Sequence, residues 1–225
     1  MNAAKLRTSD DLDSFVTAEL TWRRRELRAT RSLLSLRPIP EPGQNVLLRC
    51  NITLLYAHWE GLVKGCATAY VCYVSMCRLS YQKLAPHFLA LALRSAIKGV
   101  AATNDASRHI DFSQFLVSGL DGRSKIDWKN AVDTESNLSS TVFRNIVTQL
   151  GFDYLSKYET KQRLLDSLLK KRNEAAHGEH LLTLTRADFE EPYIALVGGE
   201  HEEGLMESFV DQIRTAAKLR AFART

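Results

Sequence analysis

From Asn45 to about Leu79 the chain runs without a proline, and its apolar residues fall on two faces. Leu48, Leu55, Leu62, Ala69, Cys72 and Met76 make one stripe at helical spacing; Tyr56, Trp59, Val63, Cys66, Tyr70, Tyr73 and Cys77 make another. A helix of this length would span roughly 50 Å and be apolar on two sides, so neighbours must cover both. That requirement predicts an all-α bundle with one long central helix. Asn51 and His58 fall in the first stripe as polar groups that need partners. Glu60 and Lys64 have the spacing of a surface ion pair.

The remaining segments supply the cover. Ser9, followed by Asp10, Asp11 and Asp13, reads as the N-cap of a helix to about Leu36. Its Arg23-Arg24-Arg25, Arg28 and Arg31 read as a solvated face partly paired with Glu19 and Glu26. Pro38, Pro40, Pro42 and Gly43 break the chain. A helix is predicted over 84–100, then a polar stretch over 101–140 without strong periodicity, read as a functional or mobile loop. Ser139 or Ser140 caps a helix ended by Gly151. A short β-hairpin pairing Leu182–Thr185 with Ile194–Val197 is expected before a last helix over about 202–222. All 225 residues are read as one domain, with its core over about 45–222 and an N-terminal helix and proline-rich turn over 1–44. The four cysteines lie in one apolar stretch without metal-ligand spacing, which predicts buried free thiols, no bound metal and no cofactor. No secretory leader and no apolar run of about 18 residues appear, so a cytoplasmic protein off the membrane is expected.

Leu164 to His180 reads LLDSLLKKRNEAAHGEH. Leu164, Leu165, Leu168 and Leu169 form one stripe of an amphipathic helix. On a wheel with Leu165 at zero, Arg172 falls near −20°, between Leu168 near −60° and Leu169 near +40°. A permanent cation on a face meant for burial needs an anion, with Glu60 or Glu174 available, or a wet cleft. His177 comes five residues later, and Gly178 can end the helix behind it. A helix C-terminus favours an imidazolium, and Asn173 stands one turn before the ring. Arg172 and His177 lie about 140° apart, so either the long arginine closes the gap or a symmetric copy of the helix does. Six basic residues between Lys157 and Arg172 are met by two acidic ones, whereas 179–211 holds nine acidic residues and one basic. Such a basic helix suits a phosphate-bearing ligand. The net charge of +4 is too small to decide for nucleic acid by itself.

Arg172-Asn173-Glu174-Ala175-Ala176-His177 resembles the Arg-x4-His signature of the HEPN superfamily. Its context agrees: an early long helix with Tyr56-Ala57-His58-Trp59-Glu60-Gly61, then Ser136-Asn137-Leu138 and Leu150-Gly151-Phe152-Asp153. The last two look like a bacterial branch linked to toxin and defence systems. The likeness covers about 47–218. It implies a HEPN-like helical bundle, a homodimer with two signature helices facing one cleft, and metal-independent cleavage of RNA, single-stranded or tRNA-like. The implied catalytic set is Arg172, His177 and Asn173, with Glu60 and His58 in support. An antitoxin or defence partner is implied too. Glu179 stands where some toxins of the superfamily carry a tyrosine modified by an antitoxin, so such a partner would have to act otherwise.

Cleavage without metal needs the 2′-hydroxyl activated, the phosphorane stabilised and the leaving 5′-oxygen protonated. Histidine suits the proton transfers and arginine the phosphorane. The products would carry 2′,3′-cyclic phosphate and 5′-hydroxyl ends. The alternative is a HEPN module that has kept the fold without catalysis and serves dimerisation, RNA binding or protein binding.

Overall fold

The proline-free stretch forms α2, Gly43–Met76, in a computed structural model that describes residues 6–35, 40, 43–179, 183–199 and 202–224. Both of its stripes are buried: Leu55, Leu62 and Ala69 on one, Trp59, Val63, Cys66 and Tyr70 on the other. Antiparallel to it lies α1, Ser9–Leu33, which buries Leu12, Phe15, Val16, Leu20 and Leu27. The N-cap is Thr8, one residue before the predicted Ser9. Its hydroxyl accepts the Asp11 N–H at 3.0 Å, and the Asp11 carboxylate accepts the Thr8 N–H at 2.9 Å.

The arginines of α1 depart from a solvated face. Arg23 is buried, bonded to the Glu19 carboxylate at 2.5 Å and to the His58 carbonyl at 3.2 Å. Its guanidinium lies across Gly61, where a Cβ would meet Nη2 at 3.0 Å, so the glycine makes room for the cation. Arg24 and Arg31 reach Glu207 and Glu190, each at 2.9 Å. Only Arg25 and Arg28 keep the expected exposure.

Beyond α2, a turn at Tyr81–Lys83 leads to α3, Pro86–Ala101, and then α4, Ala106–Ser118. The helix α4 corrects the expected loop: Asp105 caps it by accepting the Ser107 N–H at 3.0 Å. It buries no residue, and Ile110, Leu116 and Val117 on it are exposed. Irregular chain over 119–139 leads to α5, Ser140–Gln149, capped by Ser139 and ended at Gly151 with φ +76°. A single turn, α6, Leu155–Tyr158, precedes α7, Gln162–Ala176, the predicted signature helix. Then come α8, Arg186–Val197, and α9, Leu205–Lys218.

The predicted hairpin is overturned, because Ile194–Val197 lie inside α8. Phe189, Tyr193, Leu196 and Val197 are buried there at spacings of four, three and one, the period of a helix face rather than a strand. Leu182 of the other predicted strand lies outside the described residues. Only two isolated bridges, Ser80 with Arg123 and Leu84 with Ala223, represent β structure among the described residues. The aromatic core of Trp59, Tyr70, Phe88, Phe143, Phe152, Phe209 and Phe222 joins α2 to α3, α5 and α9. Glu60 and Lys64 form no ion pair among the described residues. Cys66 and Cys72 are buried, but Cys50 is exposed. No described helix is long and apolar enough to cross a membrane.

Candidate active site

Leu165 and Leu168 seat α7 on the core, and this turns Arg172 toward α2. Its guanidinium lies over the Tyr56 ring, 4.1 Å from the centroid. One Nη2 donates to Asn137 Oδ1 at 2.9 Å, and Nε is buried without a hydrogen-bond partner. The carboxylate partners considered from sequence do not take it. Glu174 stands 3.8 Å from Lys170, and Glu60 pairs with no cation among the described residues. Stacking on a π face is worth about 0.5–2 kcal/mol and leaves most of the five donors of the fork unspent.

Three contacts fix the loop that carries Asn137. Leu138 N–H donates to the Tyr56 phenol oxygen at 2.5 Å, so one tyrosine touches both the loop and the guanidinium. Ser140 donates its N–H and its hydroxyl to the Asp166 carboxylate on α7, at 2.8 and 2.7 Å. Asn137 N–H reaches the Thr134 carbonyl at 2.9 Å. Just before it, Glu135 and Ser136 both have positive φ, +52° and +60°. A non-glycine residue there costs about 1–2 kcal/mol, so the chain holds strain beside Arg172. Burial pushes the Tyr56 phenol above its ordinary value against the pull of Arg172, so it stays protonated at neutral pH.

His177 is the C-cap of α7. Gly178 has φ +73°, its N–H reaches the Ala175 carbonyl at 3.3 Å, and Glu179 N–H reaches the Glu174 carbonyl at 3.0 Å, which makes a Schellman ending. Arg49 of α2 donates to the Glu179 carbonyl and pins the chain just past the cap. The imidazole is exposed. No hydrogen bond joins it to Asn173 among the described residues, so the single chain does not make the contact expected from their spacing.

The fold thus brings Arg172 together with Tyr56 and Asn137, and Glu60 shares the face of α2 that bears Tyr56, one turn on. It does not bring His58 to them. His58 is buried toward α1, with Nε2 3.3 Å from Glu26 Oε2 and its ring 5.1 Å from that of Trp22. Tyr56 and Asn137 are what sequence reasoning missed as site residues. The signal was present in the demand of Arg172 for a partner, but a tyrosine face and a loop amide are not what that demand first suggests. No group of three or more His, Cys, Asp or Glu able to hold a metal occurs among the described residues.

A family model described as RiboL-PSP-HEPN matches residues 18–215. Neither a curated protein nor a solved structure matches the chain.

Proposed function

The chain belongs to the RiboL-PSP-HEPN family of HEPN domains, and from that premise we propose that it is a metal-independent RNA endonuclease that works as a homodimer. Membership points to nuclease or RNA-binding function; the catalytic reading goes further. In it His177 carries the proton and Arg172 stabilises the phosphorane, whose oxygens meet the planar fork. The 2′-hydroxyl attacks phosphorus, the bond to the 5′-oxygen breaks, and that oxygen takes up a proton. One imidazole cannot serve as both base and acid in a single step, so the second comes from a partner helix across a two-fold axis. Asn173 orients the imidazole in that assembly. An origin in a toxin or antiphage system belongs to the same proposal.

The observation that carries this reading is the state of Arg172. A buried structural arginine takes a carboxylate, as Arg23 does with Glu19. Arg172 instead has an aromatic face below it and one neutral amide beside it, which leaves its charge for an incoming anion. The test is cleavage of labelled RNA in EDTA, with the ends identified: cyclic phosphate and 5′-hydroxyl are expected. Metal-dependent cleavage that leaves 5′-phosphates would overturn it. The absence of a bond from the Asn173 side chain to the imidazole favours a second reading, a binding module that has lost catalysis, which predicts RNA bound and never cut.

A further inference from the structure

Every ion pair among the described residues lies on α1, α2, α7, α8 or α9. Between Arg78 and Ala131 the chain carries eight basic residues against four aspartates, and none of these cations has an ion-pair partner among the described residues. Asp105 is occupied as a helix cap, Asp121 by the Gln82 amide and Asp127 by the Asn130 amide. These carboxylates keep their charge, and with Asp111 they leave an excess of four positive charges over this segment.

The shape under that charge is a trough. Three adjoining cavities of about 350, 320 and 540 Å³ follow α3. The first two share Leu91 and Arg94; the second and third share Ala92, Ser95 and Lys125. The middle sets three cations, Arg94, Lys98 and Lys125, against one carboxylate, Asp127. Arg94 is held in place because Nη1 donates to the Ala131 carbonyl at 3.1 Å, the same oxygen that Gln149 takes at 3.0 Å. The far end is aromatic, with Tyr81, Phe112 and Phe115. There Tyr81 meets Phe115 edge-on at 5.1 Å and accepts the Lys125 N–H at 3.3 Å, which ties the rings to the cations.

We propose that this trough binds a single-stranded stretch of nucleic acid, with phosphates on Arg94, Lys98 and Lys125 and bases against the Phe112 and Phe115 end. Cations beside aromatic faces are what a single strand needs and a duplex cannot use, since its bases are already stacked. Exposed Ile97, Ile110 and Val117 on the same helices would suit a protein instead. The centres of protein interfaces are depleted in charge, however, and the middle of this trough is its most charged part. Ala131 and Asn137 are six positions apart, so the middle of the trough lies within roughly 20 Å of the amide that holds Arg172 by chain reach. It goes beyond the cleavage reading and stands whether or not Arg172 cuts.

The test uses the whole protein and a probe that 2′-hydroxyl chemistry cannot cut, a fluorescein-labelled oligodeoxythymidine of about 12 nucleotides. Anisotropy across a salt series gives affinity and its slope. Lys98 and Lys125 are exposed, so Lys98→Glu with Lys125→Glu leaves the fold intact, checked by circular dichroism. The double variant should weaken binding at least tenfold and reduce the salt slope by about 1.4, the share of two phosphates on a single strand. Phe112→Ala should weaken it about five- to a hundredfold. Arg25→Glu with Arg28→Glu, an equal charge change on α1, should leave affinity within about twofold. A duplex of the same length should bind more weakly than the single strand. Unchanged affinity in the Lys98/Lys125 variant, or an equal loss in the Arg25/Arg28 control, overturns the proposal. So does a wild-type protein that binds no oligonucleotide, which would give this face to a protein partner. RNA cleavage assayed in parallel keeps the two readings apart: a protein that binds the probe through Lys98 and Lys125 but cuts no RNA keeps the trough and loses the nuclease.

Discussion

The Arg172 guanidinium carbon stands 4.1 Å from the centre of the Tyr56 ring, and the oxygen of that same tyrosine accepts the backbone N–H of Leu138, next to the amide that Arg172 holds. One side chain of α2 therefore sets both the height of the guanidinium and the position of its neighbour. Tyr56→Phe keeps the ring but leaves a buried N–H without an acceptor, which should cost about 1–3 kcal/mol in urea unfolding. Tyr56→Leu removes the π face as well, about 0.5–2 kcal/mol more. On RNA, Tyr56→Leu should lose more of kcat/KM than Tyr56→Phe. Equal losses would show that the ring does not hold the fork.

Arg172→Ala should lower cleavage about 10²–10³-fold, as for a lost charge-stabilising donor. His177→Ala should lower it about 10²–10⁴-fold, as for a lost acid–base group. Arg172→Lys should recover little, since a point charge does not reproduce the fork. His177 is exposed at a helix end, so its variant should unfold at the wild-type urea midpoint. In mixed dimers, pairing an Arg172→Ala chain with a His177→Ala chain reports whether one cleft draws on both. Full activity of His177→Ala in EDTA would falsify the assignment.

Two glycines share a left-handed backbone but differ in surroundings. At Gly178, φ +73°, an added Cβ meets nothing within 4 Å. Gly178→Ala should therefore cost only the conformational penalty, about 1–2 kcal/mol. At Gly151, φ +76°, the Cβ would fall 2.5 Å from the His87 ring. Gly151→Ala should cost clearly more, and the order of the two urea midpoints checks this. Gly178→Ala should also reduce cleavage, because it loosens the turn that carries His177.

Burial holds the His58 imidazole below its ordinary value of 6.5, with Glu26 pulling upward and Arg23 downward. The folded protein thus prefers the neutral ring, whereas the unfolded chain titrates near 6.5. Stability from this site is complete above that pH and is lost as pH falls toward the lower folded value. His87, half-buried and also lowered by desolvation, acts in the same direction. The urea midpoint should fall from about pH 7 to about pH 5, and His58→Gln should flatten part of that slope. A slope unchanged in His58→Gln would show that the ring is already charged beside Glu26.

What could be read in advance was whatever one helix decides alone. The double stripe of 45–79, the stops at Gly151 and Gly178, and Arg172 on an apolar face needed only periodicity and φ preference. What could not be read depends on a second element. Arg23 looks like any surface arginine until Gly61 and Glu19 make a berth for it. The helix α4 buries no residue and leaves Ile110, Leu116 and Val117 exposed, so no core position announced it. For α8, Pro192 stands inside the segment, and Thr185 and Asp188 form a capping box at its start. At the site, Arg172 and His177 could be chosen from one helix, but Tyr56 and Asn137 come from elements 116 and 35 residues earlier.

That distance bears on how the protein is made. The stripe of α2 that carries Tyr56 and Trp59 is closed by Leu138, Phe143 and Arg172, all synthesised far behind it. About 85 residues separate the end of α2 from the start of α7, so at roughly 5–20 residues per second that face waits some 4–17 s on the ribosome. A nascent chain shorter than α7 has α1 and α2 to pair and no fork to offer a phosphate. On the nuclease reading, the site is therefore incomplete until the last third of the chain has been made.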